Sequence, residues 1–236
     1  MTTARVVHVL QATDSEYLGL VEDHLEGRGI GFQYLRPHHT GGWLPPTART
    51  VDALFLLGGG PLGTRPPHRV SWLERALSLV RDCLDRERPV VGFGLGAQLL
   101  AVAAGGSVAA GPLVLEVDTV RRVRADALGG LAPATWPHVV YMRDRPLPPP
   151  SAEVLAVDSA ERPALFRLGT RGFGFCGHPG VKTAMVEDLV MEFEEAPDDV
   201  ATDLQRVRAV QAAVEDALVP LMAGLVRATG LARAES

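Results

Sequence analysis

Two cysteines, Cys83 and Cys176, are the only thiols in this chain of 236 residues. That is too few for a disulfide framework or a cysteine-rich metal site. Basic charge is also short. The formal net charge is -5, which argues against a nucleic-acid partner, because binding phosphates favours a basic stripe. The one local run, Arg121-Arg122-Val123-Arg124, reads as a solvated strand face. No apolar stretch reads as long enough to span a bilayer. Met1-Thr2-Thr3 leads into Val6–Leu10 without a basic segment or a cleavage site, so no leader and no membrane partner are expected, and the expected location is cytoplasmic. His8, His24, His38, His39, His68 and His138 show no metal-ligand spacing with carboxylates, and His38-His39 reads as loop. No metal and no cofactor are expected.

What is present is an ordinary globular composition, 47% hydrophobic and 22% charged, in a length suited to one domain covering residues 1–236. The first half alternates strand and helix patterns. Val6–Leu10, Phe32–Leu35, Val51–Leu57 and Pro89–Val91 read as strands. Glu16–Gly27 reads as a helix with Leu18, Val21 and Leu25 on one face. Ser71 and Glu74 read as a capping box opening a helix to about Asp85, with Leu73, Leu77, Val80 and Leu84 inward. Gly92–Gly96 turns into a further helix carrying Gln98–Ala104. Continuous apolar strands separated by helices imply a parallel sheet covered on both faces.

From Leu113 the pattern changes to strands without intervening helices: Leu113–Val123, Val139–Met142, Val154–Val157, Ala164–Leu168 and Gly172–Cys176. Gly169-Thr170-Arg171 reads as a hairpin turn, and Pro146–Pro150 as a loop. Two helices should close the chain. The second starts near Asp198 or Asp199, with Val200, Leu204, Val207 and Val214 on one side, and Pro220 should kink or interrupt it. The expected fold class is therefore α/β: a mostly parallel sheet flanked by helices, with added antiparallel strands and C-terminal helices.

Ligands of open parallel sheets bind beyond the carboxyl ends of the strands. Three glycine-containing loops fall there: Gly58–Pro61, Gly92–Gly96 and Gly177–Gly180. Leu57-Gly58-Gly59-Gly60-Pro61 resembles the Gly-Gly-Pro oxyanion loop of class I glutamine amidotransferases. Pro89-Val90-Val91-Gly92-Phe93-Gly94-Leu95-Gly96-Ala97-Gln98 resembles their Pro-Val-Leu-Gly-Ile-Cys-Leu-Gly-Ala-Gln nucleophile elbow. Gly172–Gly180 resembles the Gly-Val-Gln-Phe-His-Pro-Glu segment that supplies the other two members of the triad. The resemblance spans nearly the whole chain, is nearest to the stand-alone kind related to the glutaminase half of GMP synthase, and implies the flavodoxin-like fold of that family.

It also implies a degenerate site. Gly94 stands at the cysteine position and Gly180 at the position of the orienting glutamate, so of the triad positions Gly94, His178 and Gly180 only His178 keeps its type. Met142 falls where many relatives carry the His of a His-x-Asp element, whereas Asp144 is retained. Without a thiolate no thioester forms, and without the carboxylate the tautomer of His178 is unspecified. The expected pocket residues are Gly59, Gly60, Gly94, Leu95 and Gln98, with the Leu95 amide and one from Gly59 or Gly60 as oxyanion donors. Gln98 would chiefly anchor the elbow helix, and His178 would be the catalytic base. Losing a side chain at Gly94 leaves room above the turn, for a ligand bulkier than glutamine or for nothing.

Cys176, two residues before His178, reads as a buried packing residue, as does Cys83. Gly92-Phe93-Gly94-Leu95-Gly96-Ala97 also fits the dinucleotide pattern G-x-G-x-x-A, with Glu116 and Asp118 downstream, but the following strand belongs to the non-alternating half. Two functions fit these residues. One is a repurposed enzyme binding a small-molecule substrate for acyl or amide-nitrogen transfer in specialised metabolism. The other is a catalytically silent protein acting as a binding or regulatory partner. Glutaminase activity of the cysteine-dependent kind is not expected.

Overall fold

The structure, a computed structural model, describes residues 6–231. The leader reading at Met1–Thr3 lies outside them. Strands β1 (Val6–Leu10), β2 (Gly31–Leu35), β3 (Ala53–Leu56) and β4 (Val90–Phe93) alternate with helices α1 (Leu20–Glu26) and α2 (Leu73–Asp85). α3 (Leu95–Ala103) follows β4 directly. β11 (Gly172–Phe175) joins this group as a parallel neighbour of β4. β1 to β4 carry branched and aromatic side chains on both faces, β11 sets two phenylalanines on one face and two glycines on the other, and β3, β4 and β11 are buried throughout. The pattern requires helices on both sides, and they are there. One core packs Val7, Phe55, Phe93 and Phe173 with Val21 of α1 and with Leu218 and Leu225 of α5 (Val200–Thr229). The opposite core packs Leu54 and Leu56 with Ala76 and Val80 of α2 and Leu99 and Leu100 of α3.

The other half of the sheet is antiparallel. β6 (Val114–Arg122), β7 (Thr135–Met142), β9 (Glu153–Val157) and β10 (Pro163–Leu168) complete one nine-stranded sheet, in the order β2-β1-β3-β4-β11-β10-β9-β6-β7. The α/β class with added antiparallel strands is thus as the sequence implies. The turn at Gly169 is there too, joining β10 to β11 with Gly169 at φ 55°. α4 (Thr183–Glu192) packs against α5 over β6 and β7.

Several boundaries differ from expectation. α1 begins at Leu20, not Glu16, because Gly19 sits at φ 60° and cannot extend the helix backwards. Glu16 is left in the loop. The residue flanking α2 is Trp72, and no side chain caps that helix, so Ser71 does not form the expected box. Pro146 lies within a short strand, β8 (Arg145–Leu147), paired with β5 (Ser107–Ala109) in a separate two-stranded sheet. α3 therefore leads into an antiparallel ribbon, not into the parallel strand that a dinucleotide fingerprint needs. α5 runs from Val200 to Thr229 through Pro220 without interruption. Packing of Leu218, Leu221, Met222 and Leu225 into the core holds both sides of the proline, which offsets the missing hydrogen bond. By length and composition α5 is also apolar enough to cross a membrane, which corrects the expectation of no such stretch. Its buried face is nonetheless spent on the sheet and on α1 and α4.

Candidate functional site

The elbow is built by β4 and α3. Gly94 separates them at φ 53°, ψ -114°, a strained backbone region that costs an ordinary residue on the order of 1–3 kcal/mol. On either side the chain is packed backbone to backbone. A Cβ at Gly92 would lie 2.3 Å from the Gly96 carbonyl oxygen, and one at Gly96 only 2.1 Å from that of Leu56. At Gly94 itself a Cβ would touch only the Gly58 Cα, at 3.3 Å. The turn therefore keeps the shape that presents a nucleophile, with hydrogen in place of the side chain.

The loop after β3 faces this turn. Among the described residues the N–H groups of Leu95 and Gly59 have no acceptor, so two donors remain near Gly94. Gly60 bridges to Met142 of β7, and its carbonyl accepts from the Arg143 amide at 3.3 Å, which commits it to the strand. The first amide of the loop is taken as well. Gly58 donates to Glu16 Oε1 at 2.8 Å.

Glu16 is the residue that sequence reasoning missed. Freed from the expected helix, it turns inward, its own N–H held by Thr13 Oγ1 at 3.1 Å, and it is almost wholly buried. Its carboxyl lies so close to Gly58 that a Cβ there would come within 2.3 Å of Oε1. Burial pushes its pKa up to about 8, against the lowering effect of the Gly58 hydrogen bond, so the group holds a proton at neutral pH. The sole sequence signal was Thr13-x-x-Glu16, which reads equally as a helix start.

His178 is fixed by the backbone. The Gly180 N–H donates to its Nδ1 at 3.2 Å, so Nε2 carries the proton, and it donates to the Tyr17 carbonyl at 2.9 Å. The tautomer is thus specified after all, by an amide in place of the absent carboxylate. Burial lowers its pKa to about 4. In this arrangement both ring nitrogens are hydrogen-bonded to the backbone. Where a carboxylate side chain would extend from 180, the space is filled: a Cβ there would meet Val21 Cγ2 at 2.7 Å and Leu218 Cδ2 at 3.3 Å.

Glu16, Gly58, Gly94, Tyr141, Cys176 and His178 line one cavity with apolar residues of β7 and α4. Its free volume is about 20 Å³, roughly one water, for which about 10–15 Å³ suffices. The cavity beside Gly94 is therefore small, and the Glu16 carboxyl takes up part of its wall next to Gly58. The buried Tyr141 hydroxyl has no partner among the described residues. Gln98 stays outside this cavity. Its Nε2 donates to the Arg143 carbonyl at 2.6 Å, so it anchors α3 to the chain after β7. Asp144, at φ 57°, accepts from the Gly111 amide at 2.9 Å and lines a different, roomier cleft with Met142 and Arg145, of about 300 Å³.

Cys176 Sγ–H donates to the Pro163 carbonyl at 2.9 Å. Burial pushes the pKa of Cys176 up to about 12 and that of Cys83 up to about 12, the opposite of an activated thiolate. Neither thiol of the native protein should react with a disulfide reagent at pH 8 within minutes, whereas both should titrate in denaturant. A fast native thiol at position 176 would contradict its burial.

Solved structures share this architecture over nearly the full chain. A glutamine amidotransferase from Methylobacillus flagellatus superposes with a TM-score of 0.83 at 23% identity, covering 99% of this chain and 98% of that one. A glutamine amidotransferase from Thermotoga maritima gives 0.79 at 22%, covering 95% and 98%. The fold is that of the glutamine amidotransferases. A putative GMP synthase subunit from Thermoplasma acidophilum is more distant, with a TM-score of 0.59 at 17% identity, covering 90% and 100%. No protein-family model and no curated protein matches the sequence. On this fold the elbow, the glycine loop after β3 and the end of β11 each contribute a wall of the small cavity that Glu16 also lines.

Proposed function

We propose that this protein is a non-hydrolytic form of the amidotransferase fold, a cytoplasmic binding or regulatory partner whose glutaminase pocket is plugged by its own Glu16. The observation that carries this reading is the Glu16 carboxyl on the Gly58 amide, in a cavity with space for about one water. Glutamine, with ten heavy atoms, has nowhere to sit. Gly94, the doubly bonded His178 and the filled space at Gly180 support the same reading, since each removes one part of the acyl-transfer machinery.

Ammonia release from glutamine should stay at background for the native protein and for Cys176→Ser. It should also stay there for Gly94→Cys. That variant returns a thiol to the elbow but leaves the imidazole engaged and the pocket filled. A robust glutaminase rate in Gly94→Cys would show that the pocket opens, and one in the native protein that Cys176→Ser abolishes would overturn the reading altogether.

One observation favours a second reading, a repurposed enzyme for acyl or amide-nitrogen transfer in specialised metabolism. The protonated Glu16 and the unpartnered Tyr141 hydroxyl share a cavity with the free Leu95 and Gly59 amides close by, so an acid and oxyanion donors stand together. It requires Glu16 to swing aside for a small carbonyl substrate. Activity on short acyl esters that disappears in Glu16→Gln would favour this reading, and an inert native protein across pH 6–9 would remove it.

A further inference from the structure

A second cluster lies on the rim of the sheet, outside the cavity. Asp14 follows β1, and His38 and His39 follow β2, so the three sit at the carboxyl ends of two adjacent parallel strands. Asp14 Oδ1 lies 3.1 Å from His38 Nε2 and 2.6 Å from His39 Nε2. One nitrogen from each histidine and one carboxylate oxygen all fall within 4.8 Å of one another. The two imidazoles stand edge to face with centroids 4.4 Å apart, which aims both Nε2 atoms at the same oxygen.

Sequence spacing concealed this, because the acid is 24 and 25 residues from the histidines. The parallel pairing of β1 with β2 is what closes the distance. Asp14 is also held from behind. Glu192 of α4 accepts from the N–H groups of both Asp14 and Ser15 at 2.9 Å, so the backbone at this position is tied before any ion arrives.

We propose that Asp14, His38 and His39 form a binding site for a divalent transition-metal ion, of the zinc, nickel or cobalt class. Two neutral imidazole nitrogens and one carboxylate oxygen are the donor set these borderline ions take, whereas magnesium and calcium prefer all-oxygen sites. Ligand atoms about 2.0–2.1 Å from a tetrahedral ion stand roughly 3.3 Å apart. The observed 2.6 and 3.1 Å separations therefore need to open by less than an ångström as the ion replaces the shared protons. His39 and Asp14 are solvent-facing, so the remaining coordination positions belong to water or to an incoming ligand. The ion would clip the loop carrying Glu16 and Tyr17 to the end of β2. The site stands independently of the plugged-pocket reading, because its ligands touch none of the cavity.

The test uses the full chain, free of any polyhistidine tag and treated with chelator, titrated separately with Zn²⁺, Ni²⁺, Co²⁺ and Mg²⁺ by calorimetry and by thermal unfolding. One transition ion should bind per chain and Mg²⁺ should not. At a concentration about a hundred times Kd, the Tm should rise by roughly 5–10 °C. The double variant His38→Ala/His39→Ala, and Asp14→Ala alone, should lose the saturable binding and the rise while keeping an apo Tm close to that of the native protein. Absence of saturable binding would overturn the proposal, and so would binding of equal affinity in the double variant. Comparing apo Tm values separates a folding defect from a lost site.

Discussion

Glu16→Gln is expected to raise stability above pH 8 by about 3–5 kcal/mol and to remove the fall of the pH–stability curve between about pH 6.5 and 8. Between the usual carboxyl pKa of 4.5 and the folded value of about 8, the folded chain holds a proton on Glu16 that the unfolded chain has already lost. Stability therefore declines by about 1.4 kcal/mol per pH unit through that window. His178 and His138 act with the opposite sign. Burial lowers both from 6.5 to about 4, so below pH 6.5 the unfolded chain takes up two protons that the folded one refuses, and stability falls as the solution is acidified.

The two effects together place the native maximum near pH 6.5. Stability should fall above it through Glu16, and below it through the histidines with Glu16 partly compensating. Gln keeps an acceptor for the Gly58 amide and cannot ionise. In the variant the acid limb should steepen, and the curve should run flat from about pH 6.5 to 8. Urea denaturation at half-unit steps from pH 5 to 9 reads this directly. Coincident curves for the two proteins would mean that the carboxyl is not buried against Gly58.

Gly96→Ala is expected to cost about 3–4 kcal/mol, more than Gly94→Ala. A methyl at 96 would lie 2.1 Å from the Leu56 carbonyl oxygen and 2.6 Å from its carbon. Both are backbone atoms of β3, so relief requires helix and strand to part. At Gly94 the methyl meets one atom at 3.3 Å, and the cost is that of the backbone conformation, about 1–3 kcal/mol. For a chain of this size the difference should appear as a Tm for Gly96→Ala several degrees below that of Gly94→Ala. The reverse order would show that the turn is held by the conformation at 94 and not by the contact at 96. The elbow glycines are thus needed for packing whether or not any chemistry occurs there.

Most of the fold was legible because it rests on local signals. The apolar runs of β1, β3 and β4 and the turn chemistry at Gly94 and Gly169 are readable over windows of about five residues. Signals that misled were local as well. The apolar spacing of Leu18, Val21 and Leu25 and the Ser71-x-x-Glu74 pattern both suggest earlier helix starts, but Gly19 in one case and Trp72 in the other mark the actual boundary. At Gly94 and Gly180 the departure from the family's pattern is readable in the sequence itself. The contacts made around those two glycines were not legible. The contact of Glu16 with Gly58 joins residues 42 apart, and that of Tyr17 with His178 joins residues 161 apart. The triangle of Asp14, His38 and His39 depends on strand pairing, which no spacing rule encodes.

The packing around Gly180 bears on the routes open to this sequence by mutation. Its carbonyl accepts from the Leu20 amide at 2.8 Å, and a Cβ on Gly19 would lie 2.3 Å from that oxygen. Val21 and Leu218 occupy the ground where a side chain at 180 would begin. A codon change that places an acid at 180 therefore meets a closed wall, and one that places a thiol at 94 meets an imidazole already bound on both sides. Each change alone carries a steric or conformational cost. Any side chain at 180 thus requires α1 and α5 to loosen first, so what position 180 can hold is decided by two helices that lie outside the elbow.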